Sequence, residues 1–475
     1  MINIDYLTIK AFTEENIDFL IGARVQKIQQ PTRRDLILSV RNNGESRKLY
    51  ININPQYYHI AFMSAENEEK RNIVIPKQPP MFCMLLRKYL EGVKITDVLA
   101  VENERIFELH FEIIDELSQN RSLCLAAELM GKHSNIILYD RETSVIIGCA
   151  HNIGEEKSRY RELKGGIKYA YPPSGLNNTG KVVPLYKQIN NSRTQNISGL
   201  IDEYYSQIQE RLNLKSEKSK LEAIVTGKLK GVNNSATKIE QLLKKRDNTE
   251  KYKHFGELLT ANLYLNTDFQ KQAELFDYTT GEIVIISLDE KMSMKENAQR
   301  YFKLYAKSKS TKEKSAEILE NLRIEKDYYE NLLYSIKAAK NLSELEEIKP
   351  ELGIAENKPK QKKSINLTQT DINGFRVYIG KNNKQNDYII SKLSRDEDYW
   401  FHTRLCAGSH ILLQVKEKEP DEETIFECCK LARKYSSASQ PSKVGVIYTK
   451  RKHLKKPPGA PLGYVTYKNE KEILI

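Results

Sequence analysis

The chain has 475 residues and a net charge of +12, from 75 Lys and Arg against 63 Asp and Glu. That length predicts two to four domains, and the basic balance points to a polyanionic partner, RNA or DNA before membrane. With no apolar run of about 18 residues, no basic-then-apolar leader in MINIDYLTIK and no framework spacing of cysteines, the chain is expected to be cytoplasmic with reduced thiols.

Residues 1–173 read as a first α+β domain. Glu14 to Leu20 has the pattern of a short helix. Arg24 to Gln30, Asp35 to Val40 and Lys48 to Asn52 read as strands, bounded by Pro31, Asn42-Asn43-Gly44 and Asn54-Pro55. Pro79-Pro80 predicts a helix start at Met81. In that helix Met81, Cys83, Leu85, Leu86, Tyr89 and Leu90 make an apolar side, and Arg87 and Lys88 are left to project. Phe107 to Ile113, Leu123 to Leu129, Asn135 to Leu138 and Val145 to Ile147 read as further strands. Residues 174–199, rich in Pro, Gly, Asn and Ser, read as a linker.

From 200 to 250 the pattern turns helical. Val225, Leu229, Val232, Ala236, Ile239 and Leu243 alternate at coiled-coil spacing. Gly227 and Gly231 predict a bend, since each weakens a helix by roughly 1 kcal/mol. A second seam, Ile318, Leu322, Glu325, Tyr329, Leu332, Ile336 and Ala339, lies in residues 307–346. The two seams predict an antiparallel pair. Residues 251–306 between them read as a tip module: a helix at His254 to Tyr264, a hairpin turning at Thr279-Thr280-Gly281, and a separate helix at Asn297 to Tyr305.

A polar linker, 347–364, leads to a C-terminal α/β unit, 365–475. Phe375 to Ile379 and Asp387 to Ile390 read as strands around the amide-rich turn GKNNKQN. Asp398 to Phe401 and His410 to Val415 extend the sheet, Thr424 to Tyr435 reads as a helix, and Val444 to Tyr448 and Tyr464 to Tyr467 close it.

Catalytic chemistry finds no support in the sequence. There is no Gly-x-Ser-x-Gly elbow and no phosphate-binding loop, as Gly165-Gly166 lacks the Gly-Lys-Ser/Thr that would follow. His402, Cys406 and His410 are spaced for a helical metal site, but their neighbours favour strands and a fourth ligand is missing. No catalytic residue, metal or cofactor is expected. Binding is better supported. Trp400, His402 and His410 offer stacking and donor groups, and Lys450, Arg451, Lys452, Lys455 and Lys456 offer phosphate charge. From Cys428 to Lys468 there are ten Lys or Arg and no Asp or Glu. The competing reading of Trp400 is an ordinary core tryptophan.

Several long motifs occur in one order: MFCMLLRKYLEG, ELMGKHSNIILYD, GELLTANLY, ENAQRYF, IGKNNKQNDYI, DYWFH, GSH and KKPPGAPLGYVTY. In these the chain resembles the NFACT family, also known as fibronectin-binding protein A-like. The resemblance implies an α+β protein, with mixed α/β N-terminal (NFACT-N) and RNA-binding (NFACT-R) domains joined by an antiparallel coiled-coil arm with a small tip module. It implies a ribosome quality-control factor that binds a large ribosomal subunit carrying peptidyl-tRNA. Such a factor recruits tRNA, alanine tRNA in bacteria, for C-terminal tailing of the nascent chain. The ribosome makes the bond, so the protein is not an enzyme; it would act as a monomer on rRNA and tRNA, without a membrane.

Glu104 and Arg105 match the family's tRNA-recruiting Asp-Arg pair, with Arg87, Lys88, Lys132 and His133 expected beside them. Asp398, Trp400 and His402, with Ser409 and His410, match the family's RNA-binding pattern; Ala407 in place of a proline is expected to loosen the turn before Gly408. The linker at 174–199 is too short for the family's helix-hairpin-helix module. That leaves two alternatives: a subunit-binding factor without tailing activity, and a fibronectin-binding surface adhesin. Glycosylase chemistry, suggested by a related fold, lacks the Pro-Glu start.

Overall fold

The first helix, α1 (Tyr6–Leu20), begins at Asp5, whose carboxylate accepts the Thr8 amide at 2.9 Å. It is longer than the Glu14–Leu20 helix expected, because this cap and the buried Ile9 and Phe12 extend it toward the N-terminus. The computed structural model describes residues 3–71, 73–114, 118–154, 161–173, 183–189, 196–265, 269–354, 365–416, 418–438 and 443–475. Parts of both expected linkers, 174–182, 190–195 and 355–364, lie outside the described residues.

Two antiparallel meanders follow α1. In the first, β1 (Arg24–Gln29), β2 (Asp35–Asn42), β3 (Glu45–Asn52) and β4 (His59–Met63) pair in chain order. Then come α2 (Ala65–Arg71) and α3 (Met81–Leu90). The second meander is β5 (Ile95–Ala100), β6 (Ile106–Ile114), β7 (Asn120–Glu128), β8 (Asn135–Asp140) and β9 (Ile146–Cys149). Helix α1 joins the two sheets: the Phe12 ring lies 6.0 Å from Phe62 on β4 and 5.9 Å from Phe107 on β6. Helix α3 starts after Pro80 and buries Phe82, Cys83, Leu86 and Leu90. Met81, counted above on the apolar side, is 90% exposed.

A short α4 (Leu185–Gln188) precedes the long α5 (Ile197–Arg246). The first turns of α5 are sealed onto the N-terminal sheets. Ile201 and Tyr205 are buried, and the Tyr205 ring stacks on His59 at 4.3 Å. Arg71 on α2 meets Asp202 at 2.6 Å in a fully buried ion pair, and Asp202 also accepts from the Ser64 amide and the Asn67 side chain. Partners of this kind are what a buried charge requires.

Contacts divide the chain into two units, Met1–Asn213 and Leu214–Ile475. In the second, α5 continues as one helix through Gly227 and Gly231, and a Cβ on either glycine would meet nothing within 4 Å. A further helix, α6 (Thr249–Ala261), and the hairpin β10 (Gln272–Asp277) and β11 (Glu282–Ser287) lead into α7 (Met294–Ala338). The Ser293–Glu296 capping box starts α7. The helix expected at Asn297 to Tyr305 is therefore the beginning of a single 45-residue helix, not a separate element.

Helices α5 and α7 run antiparallel. Lys218 reaches the Lys337 carbonyl, Lys228 lies over the Tyr329 ring, and Asp247 pairs with Lys312, so one number falls as the other rises. Leu221, Val225, Leu332, Ile336 and Ala339 form the buried seam. Ile318, assigned to the seam from spacing, is exposed. At the other end Leu258, Leu259, Leu275, Ile286, Ala298 and Tyr301 build a separate small core.

After α8 (Leu342–Ile348), the C-terminal part carries β12 (Thr368–Ile372), β13 (Phe375–Ile379), α9 (Asn383–Tyr388), β14 (Tyr399–Thr403), β15 (Ile411–Leu413), α10 (Glu422–Lys434), β16 (Gly445–Lys450), β17 (Leu454–Lys455), β18 (Thr466–Tyr467) and β19 (Lys471–Leu474). The main sheet is antiparallel in the order β12-β13-β15-β14-β16-β19. The strand expected at Asp387 to Ile390 is helical instead. Asn382 caps α9 by accepting the Gln385 amide at 2.8 Å, and both side chains donate to Glu347 of α8 at 2.9 Å. The amide-rich stretch is thus a packed helix start rather than an open turn.

Candidate nucleic-acid interface

Antiparallel register places the first set of site residues. Ile106 on β6 pairs with Glu128 on β7, and Glu128 pairs with Asn135 on β8. The β5–β6 turn and the β7–β8 connection therefore emerge at one end of the sheet. The Leu129 amide donates to the Arg105 carbonyl at 2.8 Å and ties the two loops together. Arg105 is half-buried, and its guanidinium donates to the Tyr58 hydroxyl at 3.1 Å, which holds the side chain while leaving other N–H groups. Glu104 is half-buried beside it. Gly131 opens a short turn with φ +66°, a backbone state that suits glycine, and this presents Lys132 and His133 exposed.

Glu104, Arg105, Lys132 and His133 line one open groove of about 2410 Å³, together with Gln30, Arg33, Met81 and Tyr171. Arg87 and Lys88 do not line it. The projection expected for Arg87 is corrected: its Nε donates to the Ile28 carbonyl at 2.9 Å and the side chain is half-buried. Lys88 is exposed near the Tyr89 ring.

Two buried polar groups support this end of the sheet. Glu128 is fully buried and held by a forked contact from Arg161 and by the Tyr169 hydroxyl at 2.9 Å. Burial raises its carboxyl, and Arg161 and Tyr169 oppose that. Glu108 accepts from Tyr139 and Tyr171 and meets His110 Nε2 at 3.0 Å. Cys124, opposite His110 across the strands, completes a Glu-His-Cys group whose ligand atoms lie within 4.8 Å of one another. Such a group could hold a metal, but its carboxylate already has partners, so it reads as a hydrogen-bonded support.

The second set lies on the C-terminal sheet. Asp398 is buried and accepts the Arg395 and Val415 amides at 2.8 and 2.9 Å. Trp400 is 1% exposed. It packs with Leu412, Ile447, Ile389 and Ile390, parallel to His402 at 5.8 Å and edge-on to His410 at 5.3 Å. His402 is half-buried and His410 is buried; burial lowers both imidazoles below their ordinary value, which disfavours their charged form. This corrects the reading of Asp398 and Trp400 as open binding groups: they hold the sheet from within.

Nor is the turn at Ala407 loose. The Ser437 amide bonds the Ala407 carbonyl at 2.7 Å, Gly408 donates to Asn331 of α7 at 2.9 Å, and Ser409 donates to the Tyr435 carbonyl at 2.8 Å. A Cβ on Gly408 would meet Ser436, Thr403 and Tyr435 at 3.1 Å.

The basic tail is less free than its sequence suggested. Arg451 donates to the carbonyls of Ile390 and Leu454. Lys450 pairs with Glu397 and Glu419, Lys452 with Glu397, and Lys456 with Asp387. Lys455 is exposed. Acids distant in sequence return to the stretch that has none of its own.

Residues 5–184 and 176–367 match the NFACT N-terminal and middle domains, and residues 366–469 match the NFACT protein RNA-binding domain. The chain belongs to the NFACT family. It is 29% identical to the Rqc2 homolog RqcH of Bacillus subtilis (strain 168) over 556 residues, covering 98% of this chain and 96% of that protein. It is 24% identical to the archaeal Rqc2 homolog aRqcH of Methanocaldococcus jannaschii, covering 89% and 80%. Among solved structures, the C-terminal part of the fibronectin/fibrinogen-binding protein of Streptococcus suis matches with TM-score 0.44 and 25% identity, over 55% of this chain and 94% of that one.

In NFACT terms, the groove belongs to the N-terminal domain and the Trp400 cluster to the RNA-binding domain. The sequence reading missed Gln30, Arg33 and Arg161, which all line the groove. Pro31, just after the first strand, was the available signal for the first two, since it marks the loop that carries them. Arg161 had no local signal: its partner Glu128 is 33 residues away. No helix among the described residues is long and apolar enough to cross a membrane.

Proposed function

We propose that this NFACT protein is a ribosome-associated quality-control factor. It binds a large ribosomal subunit that carries peptidyl-tRNA and recruits tRNA, alanine tRNA foremost, so that the ribosome extends the stalled chain at its C-terminus. The protein itself performs no bond chemistry; it acts in the cytoplasm, as a monomer on rRNA. In this reading residues 1–173 take the tRNA, 200–346 form the arm and its tip, and 365–475 contact RNA.

The observation that carries the reading is Arg105, anchored by Tyr58 at the edge of a groove that also presents Lys132 and His133. A guanidinium so placed suits phosphate, which it grips through two parallel N–H groups. Glu104 keeps the acidic partner with one methylene more than aspartate.

The test is affinity purification from growing cells, with sequencing of bound RNA and sedimentation of the complex. Large-subunit rRNA with one enriched tRNA is expected, and Arg105→Ala is expected to lose the tRNA and keep the subunit. Retained tRNA in that variant would refute the site. The second reading, a subunit-binding factor without tailing, draws on length: the alignment to the Bacillus relative spans 556 positions against 475 residues here, so that relative has segments this chain lacks. Subunit rRNA without tRNA in the wild type would decide for it.

A further inference from the structure

His110 on β6 stands in a cross-strand row. It pairs with Asp97 on β5 and with Cys124 on β7, and Cys124 pairs in turn with Tyr139 on β8. Glu108, two residues earlier on β6, shares the face. Glu108, His110 and Cys124 are all buried, and none of them lines the groove. One ligand atom from each lies within 4.8 Å of the others.

Charge sets this group apart. Burial opposes ionisation of Glu108, yet His110, Tyr171 and Tyr139 hold its carboxyl below its ordinary value. Those three side chains are its hydrogen-bond partners among the described residues, and none is a Lys or Arg. Glu128, in the same sheet, has Arg161. A buried carboxylate calls for a counter-charge. The two oxygens of Glu108 also divide their partners. Tyr139 and Tyr171 donate to Oε1 at 3.2 and 2.9 Å, while Oε2 meets His110 Nε2 at 3.0 Å. An ion between Oε2 and Nε2 replaces that one hydrogen bond and keeps both tyrosines. On the other side of the ring, His110 Nδ1 has no hydrogen-bond partner and lies 3.5 Å from Asp97. With an ion on Nε2, Nδ1 carries the proton and faces that carboxylate, the arrangement that orients metal-bound histidines.

We propose that Glu108 Oε2, His110 Nε2 and Cys124 Sγ bind one divalent ion of the zinc class, with water in the fourth place. A mixed oxygen, nitrogen and sulfur set suits zinc; magnesium and calcium take oxygen ligands. In a tetrahedral zinc site the ligand atoms stand about 3.3–3.8 Å apart, so closure takes small side-chain shifts. The Glu108 carboxylate and the Cys124 thiolate balance the two charges of the ion. Burial holds the Cys124 thiol above its ordinary value, and its proton passes to solvent as the sulfur takes the ion. Without the ion the group is a hydrogen-bonded support. With it, β6 is pinned to β7 in the sheet whose end loops carry Arg105 and Lys132. Asp97 and Tyr171 are exposed beside the group and offer an entry path.

The experiment strips the full chain of metal with a chelator, then titrates it with zinc(II) and with cobalt(II), whose bond to a thiolate gives a near-ultraviolet charge-transfer band. One ion per chain is expected, with that band, proton release on binding and a higher urea midpoint for the N-terminal unit. Cys124→Ser is expected to lose the band. His110→Gln is expected to weaken binding by more than about 100-fold, the upper range for a residue that only supports a ligand. Asp97→Asn alters an exposed side chain and keeps the fold; it is expected to weaken binding about 10-fold.

A wild type that takes up no zinc at micromolar concentration overturns the proposal. So does a cobalt band that survives Cys124→Ser, which places the ion on another cysteine. If the two buried variants do not fold, Asp97→Asn decides, and unchanged zinc affinity in it overturns the proposal.

Discussion

The two ends of the chain use similar residue types in opposite ways. In the N-terminal unit Arg105, Lys132 and His133 sit on turns at a sheet edge and face an open groove. In the C-terminal unit Trp400, His402 and His410 sit on or beside strands, and the tryptophan is packed against Ile389 and Ile390 in the helical continuation of α9. The difference teaches that a stacking or charged residue becomes a binding group only where the backbone carries it past the end of the sheet. Inside a strand, with a layer above, the same side chain becomes core.

The largest expected effect removes the sealed side of this comparison. Trp400→Ala should cost about 3–5 kcal/mol of stability, read as the urea midpoint of the C-terminal unit's transition. A loss below about 1 kcal/mol would show that the tryptophan does not hold the sheet.

Acid sharpens the comparison next. His59, His402 and His410 all have lowered pKa values, with burial the first cause, and His59 is brought down to about 3. Their unfolded forms take a proton below about pH 6.5. The unfolded chain then binds more protons than the folded one, so stability is full above that pH and falls as the pH drops through it. Between pH 6.5 and 5 His59 should account for up to about 2 kcal/mol, with His402 and His410 adding to it. Denaturation at pH 7.5 and 5 measures the loss, and His59→Phe should flatten part of it. An unchanged midpoint would mean these imidazoles charge freely.

The smallest expected effect concerns the paired lysines. Lys450→Ala removes contacts to Glu397 and Glu419 on an exposed surface and should change stability by no more than about 1 kcal/mol. If phosphate displaces these carboxylates in the RNA complex, the same change should lower the salt slope of rRNA binding by about 1. An unchanged slope would restrict Lys450 to its ion pairs.

Much of this was legible in the sequence because it was local. Pro80 before MFCMLLRKYL marked a helix that starts at Met81. The heptad spacing marked the antiparallel pair, and Leu332, Ile336 and Ala339 are buried in its seam. The motifs marked Arg105 and the Gly-Lys-His turn, which tight backbone geometry keeps at the surface. Local signals also misled. Asp387 to Ile390 reads as a strand by composition, yet it is helical because Asn382 caps it and Glu347, distant in sequence, satisfies the amides.

Sequence therefore determined the helices, the seam, the net charge and the turns that carry Arg105 and Lys132, since each depends on neighbours within a few positions. Tertiary structure decided exposure and pairing. Met81 at 90% exposed and Trp400 at 1% could not be told apart by residue type, and the acid-free tail gained Glu397, Glu419 and Asp387 only on folding. Burial and ion pairing depend on which distant segments pack above a residue, and short-range pattern carries no record of that.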